Sequence, residues 1–61
     1  MSPRELEVLR LVAGGKTSKE IASELVTSVH TVNNQVASIY AKLGARGKAD
    51  AVSFAVRAGI A

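Results

Sequence analysis

The sequence of 61 residues contains no cysteine, which excludes a disulfide framework and any metal site built on thiolates. Its apolar runs fall far short of the roughly 20 residues of a membrane-spanning helix, and no signal-peptide pattern opens it. The length allows one small domain, and a chain of this size buries only about 60% of its unfolded surface. These absences fit a small domain from a reducing compartment.

Catalytic groups are also scarce. There is a single histidine, His30, and no second ligand accompanies it to suggest a metal site. Periodicity brings no pair of carboxylates together on a pocket, and the serines and threonines stand where helices are expected to begin, which explains them as caps. The sequence therefore predicts a protein that is not an enzyme.

The segment Gly14–Thr17, G-G-K-T, matches the end of the phosphate-binding loop pattern G-x-x-x-x-G-K-[ST]. The match fails because Arg10 stands where the first glycine is required. It also fails because Leu6, Leu9 and Ala13, which precede it, have helical spacing where a strand is needed. We interpret the segment as the end of one helix and the start of the next.

Caps and apolar periodicity predict four helices, at about 3–13, 18–26, 29–43 and 48–58. Ser2 with Glu5, and Thr17 with Glu20, have the spacing of capping boxes, and Ser28 is a good N-cap for the third helix. No strand pattern is present. The predicted fold class is all-α, a compact four-helix bundle in which the second and third helices form a helix-turn-helix.

Charge is unevenly distributed along the chain, which carries a net charge of +3. Residues 1–29 contain four basic and four acidic residues, whereas residues 30–61 contain four basic residues and one acidic residue. A basic second half favours a polyanionic partner, nucleic acid first, although a solvated basic surface has the same composition.

The outer face of the third helix is unusual because no charged residue occurs between His30 and Ala41. Opposite the apolar stripe lie His30, Asn34, Ala37, Ser38 and Ala41, with Asn33 and Gln35 on the flanks. Short side chains allow close approach, and Asn or Gln can pair with adenine through two hydrogen bonds in the major groove. The alternative is a neutral exposed face without a partner.

Basic residues are predicted to lie near both ends of this face. Lys16 and Lys19 stand at the start of the second helix, and Lys42, Arg46 and Lys48 stand at and beyond the end of the third. Cations that flank a polar face suit a protein whose phosphate contacts position it and whose base contacts specify the sequence.

Several segments resemble the LuxR-type (GerE-type) DNA-binding domain. They are S-P-R-E-x-E-V-L at Ser2–Leu9, K-E-I-A at Lys19–Ala22, T-V at Thr31–Val32, K-L-G at Lys42–Gly44 and A-V at Ala51–Val52. The resemblance covers nearly the whole chain and implies duplex DNA binding in a cytoplasmic bacterial transcription regulator. It also implies that residues 1–61 are a single domain, the excised C-terminal part of a longer regulator with a sensor upstream.

The resemblance places base contacts on Asn33, Asn34 and Ala37. It places phosphate contacts on Ser18, Lys19, His30, Thr31 and Lys42, to which position adds Lys16, Arg46 and Lys48. Family members often have lysine at the position of Asn33, so this chain has lost a cation there and its affinity for DNA is expected to be modest. The alternative function is a helix-turn-helix that serves protein interaction or dimerisation, with weak or no DNA affinity.

The fourth helix has more apolar surface than one core face needs. Val52, Ala55 and Val56 make one stripe, and Ala51, Phe54 and Ala58 make a second. The second stripe is the predicted interface of a homodimer, as the resemblance implies, unless both stripes pack within one chain. RNA polymerase is a further expected partner, and no cofactor, metal or small molecule is expected.

Overall fold

The computed structural model describes all residues, 1–61, and contains four helices and no strand. The helices are α1 (Pro3–Ala13), α2 (Ser18–Leu25), α3 (Val29–Leu43) and α4 (Lys48–Arg57). The predicted all-α fold and helix-turn-helix are confirmed. Two helices end one residue earlier than predicted, because Val26 and Ala58 cap those ends and do not continue the helix. None of the helices is long and apolar enough to cross a membrane.

The helix starts follow the local sequence. In the first capping box the Ser2 hydroxyl accepts from the Glu5 amide at 3.2 Å, and the Glu5 carboxylate accepts from the Ser2 amide at 3.0 Å. In the second, Thr17 and Glu20 exchange the same bonds at 3.1 and 2.9 Å. Each box satisfies two amides that a helix start otherwise leaves unpaired. The N-cap of α4 is Gly47, so this helix starts without a side-chain cap.

All four helices end in the same hydrogen-bonded motif. In each, the amide of the residue that follows the left-handed residue donates to the carbonyl five residues earlier: Lys16 to Leu11, Thr27 to Ala22, Ala45 to Tyr40 and Ile60 to Ala55. This Schellman motif needs a left-handed residue just past the helix. Glycine fills that place after α1, α3 and α4, but Val26 fills it after α2, with φ of 54°. The exposed turn of the helix-turn-helix therefore contains a β-branched residue in a conformation that such residues avoid.

The core consists of nine buried residues, all of them apolar: Val8, Leu9, Val12, Ile21, Ala22, Val32, Ile39, Ala51 and Ala55. Leu9, Ile21 and Ile39 are the largest of those that are almost completely buried. Because α2 and α3 both contribute to this cluster, the helix-turn-helix is held in place by the same core as α1 and α4.

The two apolar stripes of α4 are not divided as the sequence suggested. Ala51, predicted to lie in a dimer interface, is 0% exposed and packs in the core beside Ala55, so it offers no surface to a partner. Val56, assigned with Ala55 to one stripe, is 62% exposed, and Val52 is half-buried. The helix is rotated so that two alanines face inward, because α4 packs most extensively against α1 and small side chains allow that close approach.

Candidate nucleic-acid interface

The side of α3 that points away from the core carries one continuous polar and small-residue surface. Val32 and Ile39 anchor the opposite side, at 0% and 1% exposure. We define the outer face of α3 by its exposed uncharged polar residues and exposed alanines: His30, Asn33, Asn34, Ala37, Ser38 and Ala41. The structure therefore brings the three predicted base-contacting residues, Asn33, Asn34 and Ala37, onto a single exposed surface.

The first turn of α3 is ordered by side-chain hydrogen bonds. The Ser28 hydroxyl accepts from the Thr31 amide at 3.1 Å and donates to the Thr31 hydroxyl oxygen at 2.9 Å. The Thr31 hydroxyl proton is left free to donate outward. On the outer face, the Asn34 side-chain nitrogen Nδ2 lies 3.3 Å from His30 Nε2. The N-terminal end of the outer face is thus partly fixed before any partner binds.

Three of the predicted phosphate-contacting cations have no internal partner. Lys19, Arg46 and Lys48 are exposed and form no ion pair, and Ser18 is half-buried at the first position of α2. Lys16 lies 3.9 Å from Glu24, a pair exposed enough to contribute little.

Two of these cations also act on Glu20, at the start of α2. Hydrogen bonds from Thr17 lower the pKa of the Glu20 carboxyl, and the charges of Lys16 and Lys48 lower it further. Glu20 therefore experiences the positive charge of a lysine before α2 and of a lysine at the start of α4.

Lys42, another residue predicted to contact phosphate, forms an ion pair within the chain. Its Nζ donates to both carboxylate oxygens of Glu5, at 2.8 and 2.7 Å, and the Glu5 side chain is only 13% exposed. The pair joins the end of α3 to the start of α1. The Lys42 side chain is 51% exposed, so Glu5 competes with a phosphate for this charge, and the predicted phosphate contact stays a prediction.

Comparison with known proteins decides what kind of helix-turn-helix this is. Residues 1–55 match the family model described as "Bacterial regulatory proteins, luxR family". The chain belongs to this family.

Named relatives agree with the family match. The chain is 44% identical over 59 residues to Spore germination protein GerE of Bacillus subtilis (strain 168), a match that covers 97% of this chain and 80% of GerE. It is 42% identical over 60 residues to Transcriptional regulatory protein YdfI of the same organism, covering 98% of the chain and 28% of YdfI. It is 44% identical over 57 residues to Oxygen regulatory protein NreC of Staphylococcus aureus (strain JH9), covering 93% of the chain and 26% of NreC.

The expectation of a DNA-binding domain for transcription regulation is confirmed at the level of this luxR family. The chain spans less than a third of YdfI and NreC but four fifths of GerE.

Part of the exposed apolar surface of this luxR-family domain lies on α4. Val56 is its most exposed member there, with half-buried Val52 one turn earlier. Of the other residues predicted for a dimer interface, Ala58 is exposed, whereas half-buried Phe54 lines a shallow groove of about 180 Å³ with Ser53 and Arg57. Sequence reasoning missed Val56 because α4 is apolar on most sides, so its pattern alone does not identify the inward face.

The Glu5–Lys42 pair predicts a specific acid sensitivity. The hydrogen bond from Lys42, followed by those from Ser2, lowers the pKa of the Glu5 carboxyl from its ordinary value of 4.5 to about 2. A carboxyl whose pKa is lower in the folded state stabilises the fold above pH 4.5, and that stability is lost as the pH falls to about 2. We expect Glu5→Gln to lower the melting temperature near neutral pH and to flatten its decline across this window.

Thermal melts followed by circular dichroism at a series of pH values measure this effect. Glu7→Gln is the matched control. Glu7 lies in the same turn, but its side chain is 55% exposed and its ion pair with Arg4 is long, at 4.0 Å, and therefore weak. Equal pH profiles for the wild type and Glu5→Gln would show that the pair does not stabilise the domain.

Proposed function

We propose that this domain binds duplex DNA in a sequence-specific manner, with α3 in the major groove, and thereby regulates transcription. The observation that supports this most directly is the outer face of α3. An ordinary exposed helix face carries lysine, arginine or glutamate. This one presents two amides, a hydroxyl, an imidazole and two methyl groups.

The dimensions and chemistry of α3 suit the groove. Its 15 residues span about 22 Å, and a helix with its side chains fits a major groove about 12 Å wide. Asn33 and Asn34 can each donate to and accept from an adenine edge, and the Ala37 methyl group can contact a thymine methyl. The proposed preference is therefore for A·T base pairs opposite the first two turns of α3.

Phosphate contacts are proposed for the groups that flank this face. Lys19, Arg46 and Lys48 form no ion pair and can contact phosphates. Lys16 can leave its weak ion pair with Glu24 to contact a phosphate. The Ser18 and Thr31 hydroxyls and the open amides at the start of α2 add uncharged donors. With Lys42 already paired, few phosphates are neutralised, so affinity should be modest at physiological salt.

The second candidate function is a protein-interaction module that has lost DNA affinity. The uncharged outer face of α3 and the neutralisation of Lys42 by Glu5 are the observations that favour it. The two functions differ in their response to salt, because binding to DNA releases counterions whereas binding through a neutral face does not.

We further propose that two copies pair through the exposed edge of α4 at Val52 and Val56, which lie one turn apart. Such a pair would have twofold symmetry and would bind a near-palindromic site with half-sites about 34 Å apart. An upstream sensor domain, a cytoplasmic location and contact with RNA polymerase stay predictions.

Titration of labelled duplexes tests the main proposal. The probe is a randomised pool about 30 base pairs long, enough for two half-sites, measured from low to physiological salt. We expect binding at low salt and a linear fall of log K with log salt concentration, with a slope of about −0.9 for each phosphate contact. Lys19→Ala should reduce that slope by about 0.9, the contribution of one phosphate contact.

Arg10→Ala is the matched control for the lysine substitution. Arg10 is exposed on α1, outside the helix-turn-helix, and its loss changes the net charge by the same amount. Absence of binding at low salt would contradict the proposal and favour the protein-interaction module. Equal slopes for Lys19→Ala and the wild type would remove Lys19 from the phosphate contacts.

A further inference from the structure

The outer face of α3 contains one internal hydrogen bond between side chains. It joins Asn34 Nδ2 to His30 Nε2 at 3.3 Å, one helical turn apart. Asn33, the other amide predicted to contact bases, forms no side-chain hydrogen bond. The two neighbouring asparagines are therefore not equivalent: one is held by its neighbour, and the other is free to rotate.

The hydrogen bond to His30 leaves Asn34 with a free donor and a free acceptor for a base. An amide nitrogen can only donate, so His30 Nε2 is the acceptor of this hydrogen bond, which corresponds to the tautomer with the ring proton on Nδ1. Asn34 Nδ2 has two hydrogens and gives one to His30, which leaves the second hydrogen and both lone pairs of Oδ1. These remaining groups are the ones that pair with adenine N7 and N6.

We propose that His30 is a positioning residue that sets the sequence specificity of this domain by holding the Asn34 amide in one orientation. An unsupported exposed asparagine can turn its amide over and change rotamer, and it must lose that freedom when it binds a base. The hydrogen bond to His30 restricts the Asn34 side chain before DNA binds, so the side chain loses less conformational entropy on binding. The inference rests on the proposed function, and it assigns His30 a role beyond the predicted phosphate contact.

The same geometry allows His30 to form a second contact through its other ring nitrogen. The Nδ1–H group is not used by Asn34, so it can donate outward to a phosphate or a bridging water. Loss of His30 then has two separable consequences: a change in base preference through Asn34, and a uniform loss of affinity through Nδ1.

Selection from the randomised duplex pool, followed by competition between the best sequence and its single-base variants, tests the proposal. Asn34→Ala should lower the preference at one base pair by about fivefold or more, as expected for loss of a bidentate contact. His30→Ala should lower the preference at that same base pair by about twofold, the size of one exposed i,i+4 pair.

Two further variants make the test specific. His30→Gln replaces the imidazole acceptor by a carbonyl oxygen and should restore the preference, whereas a residue that only contacts phosphate would not be rescued at one base pair. The double variant His30→Ala/Asn34→Ala should have the same preference at this base pair as Asn34→Ala alone, because His30 acts there only through Asn34. Asn33→Ala, the matched control, should lower a different base preference, and His30→Ala should leave that one unchanged.

The outcomes separate this inference from the proposed function. If Asn34→Ala removes the preference and His30→Ala does not, or if His30→Ala weakens all sequences equally, His30 does not position Asn34. If the wild type shows no base preference, the proposed function fails. The positioning of Asn34 by His30 can then be tested by NMR on the domain without DNA. His30→Ala should then shift the NMR signals of the Asn34 side-chain amide, with His30→Gln closer to the wild type. Unchanged signals would overturn the inference without reference to DNA.

Discussion

Ile39→Ala is expected to remove about half of the free energy of unfolding of this domain. The side chain of Ile39 is 1% exposed and lies on the inner side of α3. Truncation of such a residue costs about 2–5 kcal/mol through lost burial and the remaining cavity. At roughly 0.05–0.15 kcal/mol per residue, a domain of this length has only about 3–9 kcal/mol of stability in total.

Urea unfolding followed by far-ultraviolet circular dichroism measures this loss directly. Val56→Ala is the matched control on α4, because Val56 is 62% exposed and its truncation should change stability by less than about 0.5 kcal/mol. A loss below about 1 kcal/mol for Ile39→Ala would contradict the described core.

The same substitution separates folding from recognition. Ile39 lies on α3 but points away from the outer face, so its loss should weaken DNA binding only by unfolding the domain. An osmolyte that favours compact states should restore binding by Ile39→Ala. It should not restore the base preference lost by Asn34→Ala, since that side chain is exposed and contributes little to the fold.

Val26→Gly is expected to stabilise the domain by about 1 kcal/mol. A left-handed conformation costs an ordinary residue about 1–2 kcal/mol, and glycine adopts it without this cost. Val26 is 91% exposed, so its removal gives up almost no packing. The greater freedom of glycine in the unfolded chain offsets part of the gain. In a domain of this size, 1 kcal/mol corresponds to a rise in melting temperature of about 4–8 °C.

Two controls test the cause of this gain. Val26→Ala keeps the unfavourable backbone and should recover only a small part of the effect. Gly44→Ala places a side chain at the equivalent position after α3, where φ is 66° and no atom lies within 4 Å of the added methyl group. It should destabilise the domain through the backbone alone. A Val26→Gly domain no more stable than the wild type would show that Val26 carries no strain.

The features that the sequence predicted well are those determined by neighbouring residues. The capping boxes at Ser2 and Thr17 each involve residues three apart, so the chain specifies them before it folds. The outer face of α3 followed equally directly, because a clean apolar stripe defines the inner side and the helical repeat then defines the outer one.

What the sequence did not show depends on contacts between distant parts of the chain. Lys42 and Glu5 are 37 residues apart, and each had a sufficient local explanation, as a helix-end cation and as a capping residue. On α4, apolar residues surround most of the helix, so only packing against α1 revealed that Ala51 is inward and Val56 outward. The left-handed Val26 was missed because valine gives no signal for that conformation.

The two buried alanines of α4 affect how far apart the α3 helices of two paired copies would lie. The only completely buried side chains of α4 are the methyl groups of Ala51 and Ala55, which hold the helix axis close to the core and leave no space there for a larger side chain. In two copies joined along the exposed edge of α4, these methyl groups would set the distance between the two α3 helices. A larger residue at Ala55 would then change which separation of half-sites the pair can span, while leaving unchanged the bases that each copy prefers.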